Sequence, residues 1–377
     1  MHYILFLILT FTIVFAEDME ESSNFFDAKD GQLDVSGHLS EAYGFLPVPT
    51  IITEPAIGFG AAVGLLYLHD NFVGEEHPSG RNIPPSMSGV IVAATENGTK
   101  AGGGFHMGHW KDDTIRTMTV AFYYDINIDL YTNDGTPLGM NGEGTYLHQS
   151  LKFRMGETDL FLGGSYTYGK TDTTFGDDSN GNIPLNDIFK IGSMALTADY
   201  DSRDNTFSPN KGMMLNFQNT YFREDFGGDE NFERYKVQGL FYQPIHEKVN
   251  LDLRANFEAI SGDEAPFFMF PFIDMRGIPA MRYQAEKTAL IEAQLRWEFL
   301  PRWSALVFGG VGKAFGEDPF NPLIDTSFSD ASNRYTKGVG FRYLIAKKYG
   351  LRMGVDIAAS QEDEAIYLQF GTAWQGF

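Results

Sequence analysis

Cysteine is absent from this 377-residue sequence, so neither a disulfide framework nor a lipid-modified cysteine is available to it. Long apolar runs are nearly absent too. After the first sixteen residues, no segment offers the roughly 18 consecutive apolar side chains of a membrane-spanning helix. Basic residues are few: 28 Lys and Arg face 50 Asp and Glu, and the net charge of −22 excludes phosphate neutralisation on a nucleic acid. Aromatics, by contrast, make up 15% of residues, with 33 Phe, 18 Tyr and 41 Gly, a composition of strands and turns.

The exceptional apolar run is "MHYILFLILTFTIVFA" (1–16). It ends in the small-x-small pattern Val14-Phe15-Ala16, and acidic sequence follows at once, which reads as a secretory signal peptide cleaved after Ala16. The alternative, an uncleaved anchor helix, is short for a hydrocarbon core of ~30 Å. Residues 17–43 then form an acidic periplasmic segment.

The dominant period is two. In "VNLDLRANFEAI" (249–260), Val249, Leu251, Leu253, Ala255 and Phe257 share one face, and Asp252, Arg254, Asn256 and Glu258 the other. Residues 289–299 repeat this, with Ile291, Leu295 and Trp297 opposite Glu292, Gln294 and Arg296, as do 349–357. Strands of about 9–11 residues with this alternation fit a transmembrane barrel, which must close because lipid satisfies no sheet edge. Arg254, Glu258 and Glu292 would then line the lumen.

Tight connections at 111–113, 156–158, 246–248, 301–303 and 347–350 alternate with long ones at 126–143, 170–187, 261–285 and 316–331. Strands are expected at 44–53, 57–69, 86–97, 100–110, 114–126, 143–155, 158–170, 188–201, 211–224, 231–245, 248–261, 286–299, 303–315, 332–346, 349–360 and 364–377. The expected fold is therefore an all-β, sixteen-stranded antiparallel transmembrane barrel over 44–377. One long connection, 70–85, falls on the side where turns should be short. Phe377, a terminal aromatic, is the expected insertion signal, although the alternation behind it is broken by Trp374.

Between two regular strands stands a 24-residue excursion, 262–285, rich in Phe and Met and carrying "DMRGIP" at 274–279. Folded into the lumen, it would bury its aromatics and set Arg276 among acidic residues, where it needs a partner. Gly277 supplies a tight bend.

These residues resemble the signature loop of the BamA/TamA superfamily of outer-membrane assembly and translocation barrels. Its Val/Met-Arg-Gly-aromatic tip matches Met275, Arg276 and Gly277, with Ile278 in place of the aromatic. Two further stretches are similar: "DYDSRDNTFSPNKGMMLNF" (199–217), carrying Asp201, Arg203, Asp204, Pro209 and Gly212, and "KGVGFRYLIAKKYGLRMGVDIA" (337–358), carrying Asp356. The resemblance implies an inward-folded sixth extracellular loop whose Arg276 pairs with Asp356. It implies a bacterial outer-membrane monomer in contact with lipid, which handles a client or translocated protein by opening between its first and last strands. Only 27 residues (43 − 16) separate the expected cleavage site from the barrel, so no periplasmic POTRA domain is expected.

Other signals are weaker. "FGGVGKA" (308–314) lacks the Ser/Thr of a phosphate loop, and "GFGAAVG" (58–64) opens no helix, so both read as strand glycines. "NGT" (97–99) reads as a hairpin turn rather than a glycosylation site. His106 and His109, three apart in one strand, point to opposite faces and make a poor metal pair. The acidic runs read as solvated tail and loop. No nucleophile elbow marks a hydrolase. Neither an enzymatic activity nor a cofactor is expected. A cation-preferring pore and a structural surface-antigen barrel are the alternative functions.

Overall fold

Side-chain alternation with period two builds a continuous wall of antiparallel strands in the computed structural model. The structure describes residues 25–41, 44–54, 56–69, 86–131, 137–175, 185–262, 264–321, 323–361 and 363–374. The expected signal peptide and Phe377 lie outside them.

The strands are β1 (Gly44–Ile52), β2 (Gly60–Leu68), β3 (Met87–Thr95), β4 (Lys100–Trp110), β5 (Ile115–Tyr131), β6 (Pro137–Arg154), β7 (Leu160–Phe175), β8 (Leu185–Asp201) and β9 (Gly212–Phe222). Then come β10 (Phe232–His246), β11 (Val249–Ser261), β12 (Lys287–Leu300), β13 (Trp303–Glu317), β14 (Asp325–Thr326), β15 (Arg334–Ala346), β16 (Leu351–Ser360) and β17 (Glu364–Phe370). The two-residue β14 pairs only with the end of β13, which itself pairs onward with β15, so sixteen strands form the wall. Every sequential pair of wall strands from β1–β2 to β16–β17 is laddered, but among the described residues β1 and β17 share no ladder, which leaves the barrel with one seam.

The burial pattern is that of a membrane barrel. On β12, Ile291 and Trp297 are more than half exposed while Glu292 between them is fully buried. The apolar face is outside and the polar face inside, the reverse of a soluble sheet.

The structure corrects two expected loops. The connections expected at 126–143 and 170–187 are shorter than expected, because β5 and β6 run to 131 and from 137, and β7 and β8 run to 175 and from 185. β5 keeps its alternation through Ile126, Ile128 and Leu130, whereas residues 171–174 of β7 are polar, and a backbone ladder does not require an apolar face. At ~3.4 Å per residue these strands exceed a ~30 Å core even when tilted, so both hairpins project beyond the bilayer at the long-loop end.

The last strand also differs from expectation. It ends at Phe370, not 377, and Gly371 turns the chain inward at φ 79°. Thr372 N donates to Phe207 O at 2.6 Å, and Trp374 is buried against Met214, Leu240 and Tyr242. The broken alternation around Trp374 thus marks a chain that has left the wall for the lumen.

At the short-turn end, residues 25–41 dock against the barrel, while the acidic run 17–22 lies outside the described residues. A bridge joins Phe26 to Leu33, and helix α1 (Ser36–Glu41) places Leu39 against Met87, Ala346 and Tyr349. Arg302, in the β12–β13 turn, binds Asp27 and Asp30 at 2.7 Å each and Asp34 at 3.0 Å. The Lys29 amide and the Lys347 and Arg302 cations hold the Asp27 carboxyl down at about 2, and the Arg302 hydrogen bond lowers that of Asp30.

Candidate functional site

The connection 262–286 leaves β11, makes a 3-10 turn at Phe267–Met269, and returns to β12 after crossing the inner face of the barrel. Its aromatics are used for anchoring: Phe268 meets Phe189 edge-on at 5.0 Å, and Met269 and Phe270 pack on Phe222, Phe232 and Ile260. Further along, Ile273, Met275 and Ile278 are buried with Leu290 of β12. The glycines of "FGGVGKA" make this seating possible, since a Cβ at Gly312 would stand 2.7 Å from Ile273 and one at Gly310 would stand 3.1 Å from the Met275 sulfur.

Arg276 sits at the centre of the tip. Its Nη1 donates to Asp356 Oδ2 at 2.8 Å and to Gln294 Oε1 at 3.1 Å, and its guanidinium lies 3.6 Å above the Phe308 ring. Arg276 Nε faces Glu292 Oε1 at 3.8 Å, close enough for charge attraction but too far for a direct hydrogen bond. Thr336 Oγ1 donates to the Arg276 carbonyl. Gly277 follows at φ 86°, where a Cβ would press on Ala358 and Ala359 at 3.2 Å.

Asp356 holds a second cation. Arg342 of β15 donates to both its oxygens, at 2.6 Å and 2.9 Å. Gly340, directly opposite Asp356 on β15, leaves room for the carboxylate, because any Cβ there would collide with it. Beside this group, Arg254 bridges Glu292 at 2.9 Å and Asp274 at 2.8 Å. A buried charge needs such compensation in a low-dielectric interior.

The loop tip also reaches both sides of the seam. Gly277 N donates to the Tyr367 hydroxyl of β17 at 2.9 Å, and Ala280 N donates to Glu54 Oε1, just beyond β1, at 3.2 Å. Burial pushes the Glu54 carboxyl up. Arg282 lies 4.1 Å over the Tyr131 ring of β5, and Arg334 lies 4.0 Å over Tyr283. The loop therefore clasps, from within, two strands that do not pair.

The Asp201 block sits at the short-turn end. Arg203 Nε donates to Asp201 Oδ1 at 2.8 Å, and Asp204 Oδ1 accepts the Asn210 and Lys211 amides at 2.9 and 3.1 Å. Gly212 turns the chain into β9 at φ 102°, and the Pro209 carbonyl faces Arg296 Nη2 at 3.5 Å. Arg296 also donates to Asn210 Oδ1 at 2.8 Å. The inner face of β12 thus connects the two motifs, with Gln294 touching the loop tip and Arg296 the turn. Sequence reading did not single out Arg342, Tyr367, Glu54 or Phe308. For Arg342 a signal existed, because it shares the inward parity of Gly338 and Gly340 on its strand. The others depend on tertiary contact.

Residues 104–269 match the Omp85 superfamily domain, a segment that stops just before the loop tip. The fold is similar to BamA from Haemophilus ducreyi lacking POTRA domains 1-3, with a TM-score of 0.55 and 12% identity, covering 88% of this chain and 70% of that one. It is also similar to CdiB from Escherichia coli (TM-score 0.56, 10% identity, 86% of this chain and 61% of that chain). CdiB from Acinetobacter baumannii gives a TM-score of 0.53 at 9% identity, with 86% and 59% covered. The chain thus spans less than two thirds of the CdiB chains. No curated protein matches the sequence. The superfamily resemblance is borne out over 104–269, which includes the 199–217 stretch, and the loop motif lies beyond the matched segment.

Proposed function

We propose, from the premise that this barrel carries an Omp85 superfamily domain, that it resides in a bacterial outer membrane and admits a client protein or lipid into the bilayer by parting its wall between β1 and β17. One observation carries the reading: every other neighbouring pair of wall strands is laddered, whereas this pair is joined through the loop tip at Tyr367 and Glu54. A strand pair without main-chain bonds is the cheapest place to open a barrel, since an unsatisfied backbone group in lipid costs several kcal/mol. The free edges of β1 and β17 would template an incoming strand by β-augmentation.

Native cysteine is absent, so engineered pairs report cleanly. One cysteine is placed in Gly44–Ile52 and one in Glu364–Phe370, and the oxidised and reduced barrels are reconstituted in liposomes. Folding of a small barrel client, followed by heat-modifiability, should accelerate with the reduced protein and not with the oxidised one. Equal rates for both forms and for empty liposomes would defeat the proposal. A steady, large, cation-selective conductance in planar bilayers would favour a passive pore instead.

A further inference from the structure

The outer wall carries a polar group where a lipid-facing surface should be apolar. Along β2 and β3 the outward residues are Val63, Leu65, Val90 and Val92, all exposed. On the same face, nearer the short-turn end, three polar side chains converge. Ser88 Oγ lies 2.8 Å from His69 Nε2 and 2.8 Å from His106 Nδ1. The register places them outward, because Ser88 stands opposite His106 just as Val90 stands opposite Gly104. Tyr67 and Trp110 flank the pair, at ring distances of 5.1 Å from His69 and 5.8 Å from His106. Trp110 is itself fixed by donating to Thr117 at 2.9 Å.

We infer that His69, Ser88 and His106 bind the phosphodiester headgroup of a phospholipid in the leaflet at the short-turn end. The proton count supports a donor site. A hydroxyl placed between two neutral imidazoles donates to one nitrogen and accepts N–H from the other. The ring that accepts must carry its proton on its far nitrogen, Nδ1 of His69 or Nε2 of His106. Among the described residues, neither His69 Nδ1 nor His106 Nε2 has a hydrogen-bond partner. On the lipid-facing wall, an N–H without an acceptor among the described residues finds one in a headgroup oxygen. Tyr67 and Trp110 set the depth, since such rings settle at the headgroup level. Above the site the exposed valines and leucines of β2 and β3 meet the acyl chains. The site lies on the second to fourth strands, one strand away from the seam, and does not depend on whether the seam opens.

The test is native mass spectrometry of the detergent-solubilised full chain titrated with phosphatidylglycerol and, in a second arm, with the phosphate-free lipid monogalactosyl diacylglycerol. The wild type should retain the phospholipid more tightly. The double variant His69→Ala, His106→Ala should lose about tenfold of that affinity with no change toward the glycolipid. Equal retention of both lipids by the wild type, or an unchanged affinity in a variant that keeps its heat-modifiability, overturns the inference. A measurement on the wild type alone removes dependence on the variant's folding. Phosphatidylglycerol, and not the glycolipid, should shift the imidazole nitrogen resonances of His69 and His106 and leave His246 in place, and unmoved resonances sink the proposal.

Discussion

Arg276 and Asp356, eighty residues apart in sequence, meet at 2.8 Å in the barrel interior, and the same carboxylate is held by Arg342. The pair joins a loop to the penultimate strand of the wall. Because Asp356 serves two guanidinium groups, its loss differs from the loss of either arginine. Asp356→Ala leaves two cations without their shared anion and should cost about 3–5 kcal/mol. Arg276→Ala leaves Asp356 paired with Arg342 and should cost less. Unfolding in urea, followed by heat-modifiability, checks the order, and equal costs would contradict the shared-carboxylate arrangement. Arg276→Lys should not rescue, because a point charge cannot reach Asp356 and Gln294 together while covering the Phe308 face.

Gly277 combines a left-handed backbone, φ 86°, with a close approach to β16. Gly277→Ala should destabilise the tip by about 1–3 kcal/mol and open the loop to protease near Arg276 and Arg282. A cleavage rate equal to that of the wild type would show that the tip tolerates a Cβ.

The docked segment 25–41 should release in acid. Hydrogen bonds from the Lys29 amide and the Lys347 and Arg302 cations lower the carboxyl of Asp27 to about 2, and that of Asp30 is lowered as well. A depressed carboxyl stabilises the docked form above the ordinary carboxylate range, and that contribution is lost as pH falls toward about 2. Trypsin-independent release can be followed by a fluorophore on Lys29. Arg302→Ala should release the segment at neutral pH, and high salt should weaken it. Docking that persists in the Arg302 variant would assign the hold to Leu39 and its apolar neighbours alone.

The seam clasp should respond to pH in the opposite sense. Burial raises the Glu54 carboxyl, so its ionised form carries a penalty that disappears as pH falls through the raised value. Loop protection should therefore increase under mild acid in the wild type. Glu54→Gln keeps an acceptor for the Ala280 amide without the charge, and its protection should be flat with pH. A parallel pH response in both proteins would remove Glu54 from the clasp.

The alternation of Ile291, Leu295 and Trp297 with Glu292, Gln294 and Arg296 was sufficient to read a membrane barrel, because a strand sends neighbours to opposite faces regardless of what surrounds it. The Arg-Gly tip was legible only through its resemblance to the superfamily's loop motif, since by its setting alone Arg276 reads as an ordinary loop arginine. The full length of the β7–β8 hairpin was not legible, since polar strand residues such as 171–174 carry no apolar signal, and the alternation of β5 through Ile126, Ile128 and Leu130 was passed over. Nor was Arg302 legible, whose three carboxylates lie more than 260 residues away in sequence.

The order of residues alone thus settled which faces are wet and which are greasy and how many strands cross. Tertiary structure decided that the Arg276 loop tip is buried, that Asp356 also holds Arg342, which strands stay unladdered, and that Trp374 turns inward. The reason is range: alternation is set by each residue and its nearest neighbours, whereas pairing a charge depends on what closure of the wall brings within 3 Å, roughly one hydrogen bond.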